Sequence, residues 1–291
     1  MKFAMLGGDA RGLILCRLLR ADGHAVTPFA LEGAMPDCAA SAAEAADGAD
    51  CLLLPLPCEK RGALNAPFSE WRGPASALVE TAKPGTPVLA GAPGETLREA
   101  CRRLDLPLTD YAAGEDFALQ NADLTAEGAL QLLLERLPRA LKGSRVLIVG
   151  YGRIGQALAE KLLSLGAGVT VAARREEART RAEEQGCRAL KLREAAQSGF
   201  DAVVNTVPAV LFREEELGRF GGALLLELAS PPYGFDPEAA QGLGREILLA
   251  SGLPAKTAPE SAAEAIRQSV YRALRLQVIP LTPPDTGRGA S

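Results

Sequence analysis

Gly150, Gly152 and Gly155 stand in the spacing G-x-G-x-x-G, within RVLIVGYGRIG, and their surroundings give that spacing a chemical meaning. The triplet follows an apolar run of strand character. It precedes Ile154, Ala157, Leu158, Leu162 and Leu165, which lay an apolar face along a helix. Gly150 permits a tight turn, Gly152 lets the backbone approach a pyrophosphate, and Gly155 lets the helix pack closely on the strand. Arg153 and Ile154 open that helix, whose free N–H groups and dipole favour an anion. The chemistry is the holding of a dinucleotide, the plainer alternative being glycines that only tighten a turn.

The next strand, in VTVAARREE, ends on Ala173 and then Arg174-Arg175, where a domain selective for NAD would place a carboxylate on the ribose hydroxyls. Without that carboxylate a 2′-phosphate is not repelled, and a guanidinium grips it with paired, charge-assisted hydrogen bonds. This reading is NADP(H); otherwise both arginines are solvated charges at a helix start. Asn205-Thr206-Val207-Pro208, Glu227-Leu-Ala-Ser230-Pro231-Pro232 and Ser251-Gly252-Leu253-Pro254 end three further strands. Ligands bind at that edge of such sheets, so these turns are expected to line the nicotinamide side, though each is also an ordinary turn in form. Near the start, Gly7-Gly8-Asp9-Ala10-Arg11 lacks the third glycine of a dinucleotide loop at the required spacing. It suits either a carboxylate ligand, held by free N–H groups and the Arg11 guanidinium, or a helix cap with a surface arginine.

Positioning these residues requires alternating strands and helices. Short apolar runs (KFAMLG, HAVTPFA, CLLLPL, TPVLAG, LPLTDY, then RVLIVG, GVTVAAR, DAVVNTV, ALLLELA, EILLAS) alternate with helical stretches such as ARGLILCRLLRAD and GETLREACRRL. That is the pattern of an α/β protein with parallel sheets, and 291 residues suffice for two domains. The expected division is a Rossmann-like or flavodoxin-like domain over 1–124, a linker helix over 125–140, and the dinucleotide domain over 141–257. A helix over 258–280 is expected to return to the first domain, followed by a flexible tail over 281–291.

Composition excludes other classes. Net charge is −4, with no basic run that would serve nucleic acid or a membrane surface. No apolar run reaches membrane-spanning length, and MKFAMLGG is too short in its apolar part for a signal peptide, so a cytoplasmic location is expected. Six cysteines without a CxxC pair, beside the single His24, make no metal site and read as reduced thiols. A histidine relay is likewise not expected.

Taken together, GGDAR, NADLTAEG, GYGRIG, NTVP, LELASPPYGFD and ASGLPAKTAPESA resemble the family of dipicolinate synthase A subunits, from residue 1 to about 275. The specific parts are GGDAR, L-A-S-x-P and GLP-x-K-T-A. The resemblance implies an enzyme of spore-forming bacteria that makes pyridine-2,6-dicarboxylate from 4-hydroxytetrahydrodipicolinate, a lysine-pathway intermediate, with NADP+. It also implies, as partner, a flavoprotein-like B subunit of dipicolinate synthase, and leaves a homo-oligomer open. For a small dicarboxylate the expected contacts are Arg11, Asp9, Thr125 and Ser230, with Lys256 and Glu127 as acid–base candidates and Glu115 and Asp116 behind them. Thr125 and Glu127 are equally explained as N-cap and first-turn acid of the linker helix, and Lys256 as a solvated loop lysine. Two competing functions stay open: another NADPH-dependent dehydrogenase of a small oxo, hydroxy or imino acid, and a non-catalytic NADPH-binding subunit.

Overall fold

The computed structural model describes residues 1–276. The chain opens with β1 (Lys2–Leu6), α1 (Ala10–Ala21), β2 (Ala25–Phe29), α2 (Ala42–Ala46) and β3 (Cys51–Leu53). A short antiparallel hairpin, β4 (Glu59–Lys60) and β5 (Ala63–Leu64), precedes α3 (Ala75–Val79), β6 (Val88–Ala90), α4 (Glu95–Arg103) and β7 (Leu108–Asp110). The long α5 (Glu115–Arg136) leads to β8 (Arg145–Val149), α6 (Arg153–Ser164), β9 (Gly168–Ala173), α7 (Glu176–Glu184) and β10 (Arg188–Lys191). Then come β11 (Ala202–Asn205), α8 (Glu214–Arg219), β12 (Leu224–Glu227), α9 (Pro237–Gly242), β13 (Ile247–Leu249), α10 (Leu253–Thr257) and α11 (Pro259–Leu274).

Two compact units result. One holds Met1–Phe117 with the described residues from Ala263 to Leu276; the other is Ala118–Ala262. The first carries a parallel sheet in the order β2-β1-β3-β6-β7, and alternate side chains of its strands enter two different cores. Ala4, Leu6, Leu52 and Val88 meet Leu78 and Leu97, whereas Phe3, Met5, Cys51 and Leu53 meet Leu15 and Leu19 of α1 and Ile266, Val270 and Tyr271 of α11. A buried charge cluster fastens α11 there: Arg267 donates twice to Asp22, at 3.0 Å each, and once to Glu264.

The second unit carries six parallel strands in the order β10-β9-β8-β11-β12-β13, the doubly wound arrangement of dinucleotide domains. Val146, Ile148, Val171 and Val204 face Leu158 and Leu162 of α6 and Ala129 and Leu133 of α5. Leu147, Val149, Val203 and Leu225 face Leu217, Phe220 and Phe235 on the other side.

The α/β class with parallel sheets agrees with the expectation, but three local features differ from it. The helix expected from Thr125 begins ten residues earlier, at Glu115, so Thr125 is mid-helix and not an N-cap. Its hydroxyl donates to the Asn121 carbonyl at 2.6 Å, one turn back. Asn121 and Asp123 have the composition of a loop, yet burial of Phe117 and Ala122 carries the helix through them. The same helix ends at Arg136, because Pro138 turns the preceding Leu137 away from helical geometry. Strand β10 and the β4–β5 hairpin stand outside the expected strands, being short and largely polar. The helix expected over 258–280 runs from Pro259 to Leu274, while 277–280 and the 281–291 tail lie outside the described residues. No described helix is long and apolar enough to cross a membrane.

Candidate dinucleotide site

Strand β8 delivers the chain into the glycine loop, and each glycine answers a different spatial demand. Gly150 has φ +92°, and a Cβ there would lie 2.5 Å from Thr206 Oγ1 and 2.6 Å from Val207 Cγ2. A Cβ on Gly155 would meet the Gly150 carbonyl oxygen at 2.5 Å, so the close helix–strand approach needs glycine. Gly152 differs: a Cβ there would touch nothing within 4 Å, so its space is open on the outside. It is the N-cap of α6 and has no side chain of its own to fill that helix N-terminus. Tyr151 is turned inward, donating to Gln185, and burial pushes its phenol up to about 12.

The end of β9 carries exposed Arg174 and Arg175 and no carboxylate before Glu176. Arg179, one turn into α7, donates to the carbonyls of Ala173 and Arg174 at 3.1 and 2.9 Å. A cavity of about 600 Å³ opens here, lined by Arg174, Arg179, Lys191 and Arg193 and by Leu192, Val210, Leu211 and Phe212. Four cations beside an apolar wall suit an adenosine carrying an extra phosphate. Arg175 is the N-cap of α7 and is not part of this lining. Sequence reasoning misses Lys191 and Arg193 because it misses β10, whose parallel register sets Lys191 beside Ala173.

Asn205 and Glu227 end the neighbouring strands β11 and β12, directly opposite each other. Asn205 is fully buried and its amide is committed internally: Nδ2 donates to Glu227 Oε1 at 2.6 Å and to the Val207 carbonyl at 2.9 Å, and Oδ1 accepts from Val207 N at 3.2 Å. The side-chain N–H groups of Asn205 are therefore taken up inside the turn it holds. Glu227, 1 % exposed, carries no sequence signal of its own; desolvation raises its carboxyl above the ordinary range against the pull of its hydrogen bonds. Thr206 rests on β8, its backbone N and hydroxyl both donating to the Val149 carbonyl at 2.9 Å. Pro208 and Ser230 are exposed beyond these turns, and Val207 is half-buried.

Gly252 caps α10 in the left-handed region, φ +67°, Leu253 is buried, and Lys256 is exposed in the last turn of that helix. Glu127 is exposed on α5 and lies 3.7 Å from Lys161 of α6, which pairs more closely with Asp123 at 2.7 Å. Both carboxylates brace one helix on the other. Asp116 pairs with Arg272 at 2.9 Å.

In the first unit, Asp9 is the N-cap of α1 and accepts from Arg11 N at 3.2 Å. Its carboxylate also receives Arg11 Nε at 3.0 Å and Nη2 at 2.8 Å, and Nη2 reaches the Leu56 carbonyl. Buried Asn65 joins the cluster at 3.5 Å from Asp9. Burial opposes ionisation of Asp9, yet the hydrogen bonds and charge of Arg11 outweigh it and hold the carboxyl below its ordinary value. The two glycine loops of the chain thus differ in kind: here a carboxylate fills the helix N-terminus that stays open at Gly152. Arg11 is not a surface arginine, and Nη1 is its one guanidinium nitrogen with no hydrogen bond among the described residues.

Residues 2–112 match the family of N-terminal domains of the dipicolinate synthase A subunit, and residues 119–215 match the NAD binding domain of D-isomer specific 2-hydroxyacid dehydrogenases. The chain is 31% identical to the dipicolinate synthase A subunit of Bacillus subtilis (strain 168) over 163 residues, 55% of each protein, so the match spans about half of that relative. The solved structure of the dipicolinate synthase A chain from Bacillus subtilis gives a TM-score of 0.81 at 25% identity, covering 94% of this chain and 96% of that one. That of the corresponding protein from Bacillus halodurans gives 0.81 at 24%, covering 94% and 97%. The fold is shared more widely: D-lactate dehydrogenase from Escherichia coli gives 0.60 at 14% identity, covering 95% and 98%. The resemblance to the A subunit of dipicolinate synthase is thus shown, and the second unit is a nicotinamide-dinucleotide domain.

Proposed function

We propose that this chain, whose first unit is of the type found in the dipicolinate synthase A subunit, is the NADP(H)-binding subunit of a two-subunit dipicolinate synthase and works in the cytoplasm during sporulation. The observation that carries the reading is the match of residues 2–112 to that N-terminal domain family. It separates this chain from the 2-hydroxyacid dehydrogenases that share the fold. The second unit holds the pyrophosphate at Gly150, Gly152, Arg153, Ile154 and Gly155. The basic cavity takes the 2′-phosphate on Arg174, with Arg179, Lys191 and Arg193 beside it and Arg175 adding charge nearby. The turn from Asn205 to Pro208, with Gly252 and Leu253, supports the nicotinamide end. When bound, the oxidised nicotinamide supplies a two-electron sink.

The substrate reading is 4-hydroxytetrahydrodipicolinate. Its C4–O bond breaks and the hydroxyl leaves with a proton as water; two electrons and a proton then depart as hydride, a second proton goes to a base, and the ring becomes aromatic. The chain must bind two carboxylates and move protons. In the first unit Arg11, oriented by Asp9, offers Nη1 to a carboxylate. Among the acid–base candidates Lys256 is the proton donor of this reading, because Glu127 is engaged with Lys161 and Asp116 with Arg272.

The direct test is ultraviolet detection of dipicolinate from purified chain, 4-hydroxytetrahydrodipicolinate and NADP+, with and without a flavoprotein-like B subunit. Product in either mixture that is lost on omitting this chain supports the reading. Absence of product from the complete mixture overturns it.

A further inference from the structure

The turns that follow β11 and β12 are joined by one buried carboxylate. Glu227 Oε1 accepts from Asn205 Nδ2 at 2.6 Å and from Ala229 N at 3.0 Å; Oε2 accepts from Gly234 N at 2.8 Å and from Phe235 N at 3.3 Å. Four donors from two loops converge on one side chain. A second observation supports the same hub: a Cβ on Gly234 would lie 2.3 Å from Asn205 Nδ2, so this glycine is what lets the amide lie against the carboxylate. A third is the hold on the glycine loop, since the Asn205 side chain closes on both backbone groups of Val207 while Thr206 donates to Val149, the residue before Gly150. Charge-assisted bonds in a dry setting are strong, and a network in which every member is satisfied fixes a single arrangement.

We propose that Glu227 is a positioning residue for the nicotinamide half of the dinucleotide, locking the turns after β11 and β12 into one floor beside the glycine loop. Glu227 itself touches no ligand; it acts through Asn205 and through the backbone of residues 229–235. The adenosine half is held elsewhere, in the cavity of Arg174 and Lys191. The proposal rests on the NADP(H) reading and separates the two halves of the cofactor energetically.

That separation defines the experiment. The intact chain, Glu227→Gln and Gly234→Ala are titrated with NADPH, followed by nicotinamide fluorescence, and with adenosine 2′,5′-bisphosphate, followed by calorimetry. The glutamine amide brings a donor where four donors already point; the alanine methyl pushes Asn205 off the carboxylate while leaving the charge in place. In both variants the NADPH dissociation constant is expected to rise at least about tenfold, and that of the bisphosphate to stay within about twofold. Either variant, if folded, suffices for the reading. Unchanged NADPH affinity, equal weakening of both ligands, or failure of both variants to fold would overturn the proposal and make the hub a purely structural knot. An unmodified chain that binds neither probe would overturn the cofactor reading itself, and this proposal with it.

Discussion

Asp9 and Arg11 form a buried ion pair at the head of α1, closed by Nε–Oδ1 and Nη2–Oδ2 hydrogen bonds of 3.0 and 2.8 Å. Their side chains are 14 % and 6 % exposed, so neither charge is fully hydrated when the other is lost. Removing one partner of such a pair strands the other. Arg11→Ala is therefore expected to lower unfolding free energy by about 3 kcal/mol, measured by urea denaturation. In the folded fraction it should also raise the substrate Michaelis constant. A loss below about 1 kcal/mol would mean that the pair is as weak as an exposed one.

The same pair sets a pH dependence. In the fold Asp9 titrates below its ordinary 3.8, so the unfolded chain takes up this proton first as the medium acidifies. Its contribution to stability is complete above 3.8 and is lost as pH falls from there through the lower folded value. Denaturation midpoints of the native chain and Asp9→Asn should therefore converge as the pH is lowered through that window. A difference independent of pH would contradict the assignment.

Gly152 and Gly155 belong to one motif but should fail differently. A side chain at Gly152 meets open space, so Gly152→Val is expected to melt near the native temperature and to lose cofactor binding. A Cβ at Gly155 strikes the Gly150 carbonyl, so Gly155→Ala is expected to lower the melting temperature. Thermal melts paired with NADPH titration distinguish the two. Native affinity in a folded Gly152→Val variant would place the pyrophosphate elsewhere.

Much of this architecture is legible in the chain because burial leaves a periodic trace. RVLIVG and GVTVAAR read as strands, since a sheet covered on both faces needs continuous apolar runs, and the glycine spacing marks the loop between β8 and α6. What escapes is local and polar. RALK, the strand β10, has no apolar run, so nothing in its composition signals that Lys191 and Arg193 join Arg174. Arg179 looks like one more helix charge until α7 folds it back on Ala173. Glu227 is hidden at the end of a run of leucines, where only the hydrogen bonds from two distant loops reveal its task. Asp9 and Arg11 are visible as a capping pattern, but their mutual burial depends on Asn65 and Leu56, far along the chain.

On the function proposed above, the cavity lined by Arg174, Arg179, Lys191 and Arg193 in the second unit selects the phosphorylated dinucleotide. Calorimetric titration of the unmodified chain with NADP+ and with NAD+ tests it most directly. NADP+ is expected to bind at least about tenfold more tightly, the equivalent of roughly 1.4 kcal/mol from one charge-assisted phosphate contact. Arg174→Ala should erase most of that gap while leaving NAD+ affinity nearly unchanged. Equal affinities of the two dinucleotides for the unmodified chain would contradict a phosphate-selective cavity.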